Sequence, residues 1–235
     1  MILDNNGFSE PKEVVTDLEE LGKRSDEINV AEKNADVRAT VVALKETIRA
    51  NNLIGLSAPQ IGIYHRIFCI NFNGDIRSFI NPIITDANKL EISTETCASI
   101  PDKTFIRPRH PEIEACYSTP LGKIESRKFI GKAAFVFQHL LDHLDGLLLP
   151  DVGLEVGEDF FNATEEEQSQ VVDMYLDSLD IKRKDLAEEI ENDKDLKQMY
   201  DAIDFMTKLA KGEVTVVKGE RIEQPPEESN AEDKT

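Results

Sequence analysis

Cysteine is scarce in this 235-residue sequence: Cys69, Cys97 and Cys116 make an odd set of three. So sparse a set does not suit the disulfide framework of a small secreted domain, and it fits a reducing compartment that leaves a thiol free to bind a metal or do chemistry. Long apolar runs are missing too. No stretch approaches the roughly 20 apolar residues that a membrane-spanning helix needs. The opening MILDNNGFSEPK has neither the basic segment nor the apolar core of a secretory signal. An intracellular, cytoplasmic protein without a membrane partner is expected. Basic residues are also in short supply, with 27 Lys and Arg against 46 Asp and Glu for a net charge of −19. That balance argues against direct nucleic-acid binding, which relies on clustered cations to contact phosphates.

What is present is enough apolar material for a core, 40% of residues, in a chain long enough for one domain plus an extension or for two small domains. The charge is uneven. Residues 1–150 carry 17 basic and 21 acidic side chains, whereas residues 151–235 carry 10 and 25. This shift marks a boundary near residue 160. It divides the chain into a domain over 1–160, an acidic, mainly helical extension over 161–222 and a disordered tail over 223–235. The tail has two prolines, many acids and almost nothing to bury.

Val37, Val41, Leu44 and Ile48 recur at helical spacing, with Asn34 or Asp36 as cap. Gly55–Gly62, with two glycines and a proline, reads as an irregular connection. Strands are expected over His65–Asn71, Ser78–Thr85, Ile92–Ile100, Glu112–Tyr117 and Lys123–Phe129. A second helix carries Ala134, Phe137, Leu141 and Leu144 and should stop at Gly146. Beyond it, Thr164 and Glu167 match a capping box ahead of Val172, Leu176 and Leu179, and a further amphipathic pattern runs through Leu196, Tyr200, Ile203 and Met206. Cys69 and Cys116 fall in strands and read as core. His65 and His110 read as surface or strand-end residues.

Half of the four histidines, His139 and His143, stand four apart on the second helix. That spacing puts both imidazoles on one face, one turn apart, as a chelating pair requires. A catalytic divalent ion wants a third protein ligand and an open fourth position.

Three motifs supply the context: Gly55-Leu56-Ser57-Ala58-Pro59-Gln60, then Glu95-Thr96-Cys97-Ala98-Ser99, then Gln138-His139-Leu140-Leu141-Asp142-His143. In this order they resemble the G-φ-x-A-x-Q, E-G-C-φ-S and Q-H-E-x-D-H segments of the peptide deformylases. Phe79-Ile80-Asn81-Pro82, the stretch from Pro101 to Arg109 and Gly131 extend the likeness over roughly residues 14–150.

The resemblance implies an α+β fold in which antiparallel strands surround a central metal-binding helix, with the helical acidic extension appended. It implies Cys97, His139 and His143 as ligands of one divalent metal, Fe²⁺ first, with Zn²⁺ or Ni²⁺ as alternatives. Gln60 and the backbone N–H of Ala98 become donors to the formyl oxygen. Glu95 pairs with Arg109 behind the cysteine. Ile54, Gly55, Phe135 and Val136 contact the substrate, an N-formylmethionyl peptide. No oligomeric state is implied.

One residue departs from the family's pattern. The glutamate that directly follows the first helix histidine in the family, and that moves a proton from the attacking water to the leaving amine, is Leu140 here. Leucine can do neither, and Asp142 and Asp145 lie on other parts of the helix. Val136, Leu140 and Leu144 form an apolar stripe, so packing alone accounts for a leucine. Thr96, Ala98 and Thr104 are lesser departures. A deformylase-type amidase with impaired turnover is therefore expected; the alternatives are a pseudoenzyme that binds formylated peptides or a partner, and a purely structural metal site.

Overall fold

The computed structural model describes residues 10–189 and 203–204. The tail over 223–235, and Leu196, Tyr200 and Met206 of the last amphipathic pattern, lie outside the described residues.

A short helix α1 (Leu18–Leu21) precedes α2 (Asn34–Ala50). Asn34 is the first residue of α2, Lys33 takes the cap position, and no side chain caps it, so neither expected cap serves. Next come strand β1 (Gly55–Ser57) and a 3₁₀ turn, Ala58–Ile61. The expected irregular connection is thus a three-residue strand followed by a 3₁₀ turn. Then follow β2 (Ile67–Phe72), β3 (Asp75–Asn88), β4 (Glu91–Cys97), β5 (Ile100–Arg109), β6 (Glu112–Ser118) and β7 (Ile124–Ile130). Helix α3 (Lys132–Asp145) stops at Gly146, a left-handed C-cap with φ 73°, as its sequence predicts. Helix α4 (Leu149–Val152), strand β8 (Leu154–Val156), helix α5 (Glu158–Asn162) and helix α6 (Glu165–Glu189) complete the described chain.

All strand pairs are antiparallel, in one sheet ordered β1-β2-β3-β6-β7 and another ordered β4-β5-β8. The α+β expectation is met. The alternation of β2 explains the layering. Ile67 and Cys69 join Val41, Leu44 and Ile48 of α2 in one core cluster, while Phe68 and Ile70 join Phe137, Leu140 and Leu144 of α3 in another. The sheet is therefore buried between two helices, because successive strand side chains point to opposite faces. On the α3 side, the Phe137 ring centroid lies 4.9 Å from that of Phe68 and 5.5 Å from that of Phe79.

Strand β5 went unforeseen because Pro101 and Pro108 mask it. It is the central strand of its sheet, where proline is normally excluded. β8 pairs only with Thr104, Phe105 and Ile106, so neither proline has a β8 neighbour to donate to. The Thr164 and Glu167 box forms: the Thr164 N–H and hydroxyl donate to the Glu167 carboxylate, and the Glu167 N–H donates back.

Candidate metal centre

Three elements meet where α3 passes β1 and the end of β4. Cys97 ends β4 at a tight turn that returns through Ile100 into β5, and its register partner is Ile100. His139 and His143 stand one helical turn apart on α3, with ring centroids 5.0 Å apart. Cys97 Sγ and one ring nitrogen from each histidine lie within 4.8 Å of one another. Cys97 and His143 are buried and His139 is half-buried. Cys97 Sγ is 3.2 Å from His143 Nε2. His139 Nδ1 donates to Glu95 Oε2 at 2.9 Å, which fixes its tautomer and leaves Nε2 to face the thiol, the arrangement that ligating histidines favour. One thiolate and two imidazoles suit iron, zinc or nickel better than calcium or magnesium. The residues present therefore fit a single first-row divalent ion.

The Glu95 carboxylate is engaged on every side. It accepts from Ser93 Oγ at 2.6 Å and from Arg109 Nε and Nη2 at 2.7 and 2.9 Å. Burial alone would raise its pKa, but the Arg109 guanidinium and the His139 hydrogen bond hold it far below the usual carboxylate range. The expected Glu95–Arg109 pair is present. Its extent was not foreseen: Arg109 Nη1 and Arg107 Nη1 both donate to Asp142 Oδ2 at 2.6 Å. His110 directly follows the last residue of β5 and is buried, its N–H donating to Gln138 Oε1, so it sits at a strand end and is not a surface histidine.

Gln60 is oriented by a residue that the motif passed over. The Ser57 N–H and hydroxyl both donate to Gln60 Oε1 at 3.0 Å, a capping box for the 3₁₀ turn. Gln60 Nε2 is thereby aimed at Cys97 Sγ, 3.6 Å away, and at Ser99 Oγ, 3.2 Å away. The Ser-x-x-Gln spacing carried that signal. Ala98 is exposed in the turn after Cys97. Ile54 is 47% exposed at the head of β1, and Phe135 and Val136 are half-buried on α3. A separate cavity of about 510 Å³, lined by residues including Asp102, Thr104, Glu155 and Phe161, contains none of the three donor residues.

Leu140 is 2% exposed. A Cβ added to Gly55 would stand 2.7 Å from Leu140 Cδ1, 3.1 Å from the Cys69 carbonyl oxygen and 3.3 Å from Val136 Cγ1. Gly55→Ala is expected to lower stability by about 1–3 kcal/mol through overpacking. Part of that loss should be relieved in a Leu140→Ala background, because the two sites share the contact. Urea denaturation of the four proteins checks this, and additive effects would contradict it.

In metal-free protein, burial alone would push the Cys97 thiol up, but hydrogen bonds with His139 and His143 bring it down to about 5. His139, which burial would lower, is raised to about 9 by its bonds to Cys97 and Glu95. An acid with a depressed pKa is charged above its folded value, so one thiolate should persist as the pH falls and protonate only near pH 5. Ultraviolet titration of thiolate absorbance reads this out. Disappearance of all thiolate below roughly pH 8, as for ordinary cysteine, would contradict the geometry.

The profile of the polypeptide deformylase family matches residues 11–154. A peptide deformylase of Pseudothermotoga lettingae is 37% identical over 125 residues, covering 53% of this chain and 72% of that one. The Thermotoga maritima peptide deformylase is 32% identical over 132 residues, covering 56% and 79%. The crystal structure of the peptide deformylase from Thermotoga maritima superposes with a TM-score of 0.57 at 29% identity, covering 61% of this chain and 97% of that one. A Met-Ala-Ser-bound class I type b peptide deformylase from Acinetobacter baumannii, 23% identical with a TM-score of 0.57, covers 62% of this chain and 99% of its own and shares the fold. Profile, relatives and fold agree with the order of the three motifs, and this chain belongs to the peptide deformylase family.

Proposed function

We propose that this protein is a metal-dependent amidase of the deformylase type that acts on N-formylmethionyl peptides, with turnover impaired because Leu140 stands where a general base is needed. The observation that carries the reading is the convergence of Cys97 Sγ and the two histidine nitrogens within 4.8 Å, with the Gln60 amide aimed at the same point. Cys97, His139 and His143 hold one divalent ion, Fe²⁺ before Zn²⁺ or Ni²⁺, which when bound supplies Lewis acidity to water and to the formyl carbonyl. Gln60 Nε2 and the Ala98 N–H donate to the formyl oxygen as charge develops on it. Ser57 holds Gln60 for that task. Ile54, Gly55, Phe135 and Val136 receive the methionyl end of the peptide, and Glu95 with Arg109 orients His139.

Leu140 can neither accept a proton from water nor return one to the leaving amine. A step that lacks its general acid and base is slowed by about 10²–10⁴-fold, while the binding groups remain. The burial of Leu140 against Gly55 favours a second reading, in which the site binds formylated N-termini or a partner without hydrolysis. Formate release from a formyl-Met tripeptide, by protein loaded anaerobically with Fe²⁺ and in parallel with Zn²⁺ and Ni²⁺, separates the two. Metal-dependent formate supports the amidase, peptide binding without formate supports the second reading, and absence of both sinks the proposal.

A further inference from the structure

Helix α6 lies beyond the family-matched residues 11–154, yet it packs on the last matched residues, in α4 and β8. Tyr175 is buried and donates its hydroxyl to the Val152 carbonyl at 2.5 Å, and Lys182 Nζ donates to the Asp151 carbonyl at 2.5 Å. Tyr175 and Leu179 share one apolar cluster with Val152 and Ile203. Leu154 of β8 packs against that cluster and is the register partner of Ile106, the residue before Arg107 on β5.

Arg107 and Arg109 are two positions apart on a strand and so share a face. They are 4% and 3% exposed, and both place Nη1 at 2.6 Å from the same oxygen, Asp142 Oδ2. Like charges buried side by side repel, and the carboxylate between them offsets that repulsion only while it stays in place. Asp142 is therefore held from two directions, on the helix that carries His139 three residues before it and His143 one residue after it. Arg109 divides its donors between Asp142 and Glu95. Arg107 supplies a second grip on α3 from β5, at the residue next to the one that pairs with Leu154.

We propose that Arg107 is a positioning residue: through Asp142 it fixes the rotation of α3 that aims His139 and His143 at Cys97, and helix α6 keeps that grip effective by shielding it from water. The inference rests on reading the three donor residues as metal ligands. It gives the C-terminal extension a part in the geometry of the site.

The test uses the full chain and metal alone, with zinc affinity measured by competition and the Co²⁺ form followed by its visible absorption. Arg107→Met and Tyr175→Ala are each expected to weaken zinc binding by about 10–100-fold, the range for residues that support a ligand from behind, and to alter the cobalt spectrum. Arg107→Lys should recover part of the affinity. Leu44→Ala, in the α2 core away from the arginines, should lower the melting temperature while the folded protein binds zinc as the wild type does. Arg107→Met that folds and matches the wild type in both readouts overturns the inference. Should that variant not fold, Tyr175→Ala decides: weakened zinc binding supports the inference and wild-type binding overturns it. If the wild type itself binds neither ion, the ligand reading falls and this inference falls with it.

Discussion

Leu140→Glu is expected to raise metal-dependent formate release by about 10²–10⁴-fold over the natural protein, the range that general acid/base catalysis contributes. The substitution places a carboxyl on α3 directly after His139, at a position that faces Gly55 of β1 and lies beside Val136. Glutamate, like leucine, has no branch at Cβ and forms helix about as well, so the course of α3 should not change. The surroundings are apolar and closed, with Leu140 only 2% exposed. Burial disfavours the charged form and raises the pKa of the new carboxyl, which brings a proton acceptor toward the operating pH. Some stability should be lost through the same desolvation. Comparison of formate release and peptide affinity, variant against wild type, decides the matter. A variant that binds zinc and peptide normally yet releases no more formate would sink the assignment of this position.

Glu95→Gln is expected to be the most damaging single change to the folded state, with a loss of about 3–5 kcal/mol, because removal of one partner of a buried ion pair leaves the other uncompensated. The carboxylate takes two bonds from Arg109, one from Ser93 and one from His139. Glutamine cannot accept all of these, and it carries no charge to offset the buried Arg109 guanidinium. The native group also makes a pH prediction. Its folded pKa is depressed, so its stabilisation is fully present above the unfolded value near about 4.3 and is lost as the pH falls below it toward the folded value. Acid denaturation should therefore show a steep loss below roughly pH 4 that Glu95→Gln lacks. Urea denaturation of both metal-free proteins across that range checks the sign and the size. Equal stability of the two at neutral pH would show that the ion pair contributes nothing net.

Much of this arrangement is legible in the sequence, and the rest is hidden for identifiable reasons. Helices α2 and α3 announce themselves because their buried residues repeat every three or four positions, and Gly146 marks the end of α3 with its left-handed backbone. The donor residues are visible because the histidine pair and the cysteine segment are local patterns. What fails to show is long-range. Strand β5 looks broken by prolines until it is known that β8 covers only three of its residues. Asp142 looks like a polar residue on the outer face of a helix until Arg107 and Arg109, more than 30 positions away, are seen to converge on it. Gln60 is prominent in its motif, whereas Ser57, which orients it, passes for a small spacer. Packing at Leu140 follows from the apolar stripe on α3, but its contact with Gly55 needs the register of β1 against β2.

All three cysteines are free, so no covalent cross-link ties one part of this chain to another. A bound ion would be the nearest equivalent. Cys97 and His143 are separated by 46 positions, and coordination between them would close a loop that runs through β5, β6, β7 and most of α3. Loop-closure entropy for a link of that span amounts to about 4 kcal/mol removed from the freedom of the unfolded chain. On that reckoning the ion would act as a reversible staple: its departure returns that freedom to the chain, which a disulfide at the same place would never allow without a reductant.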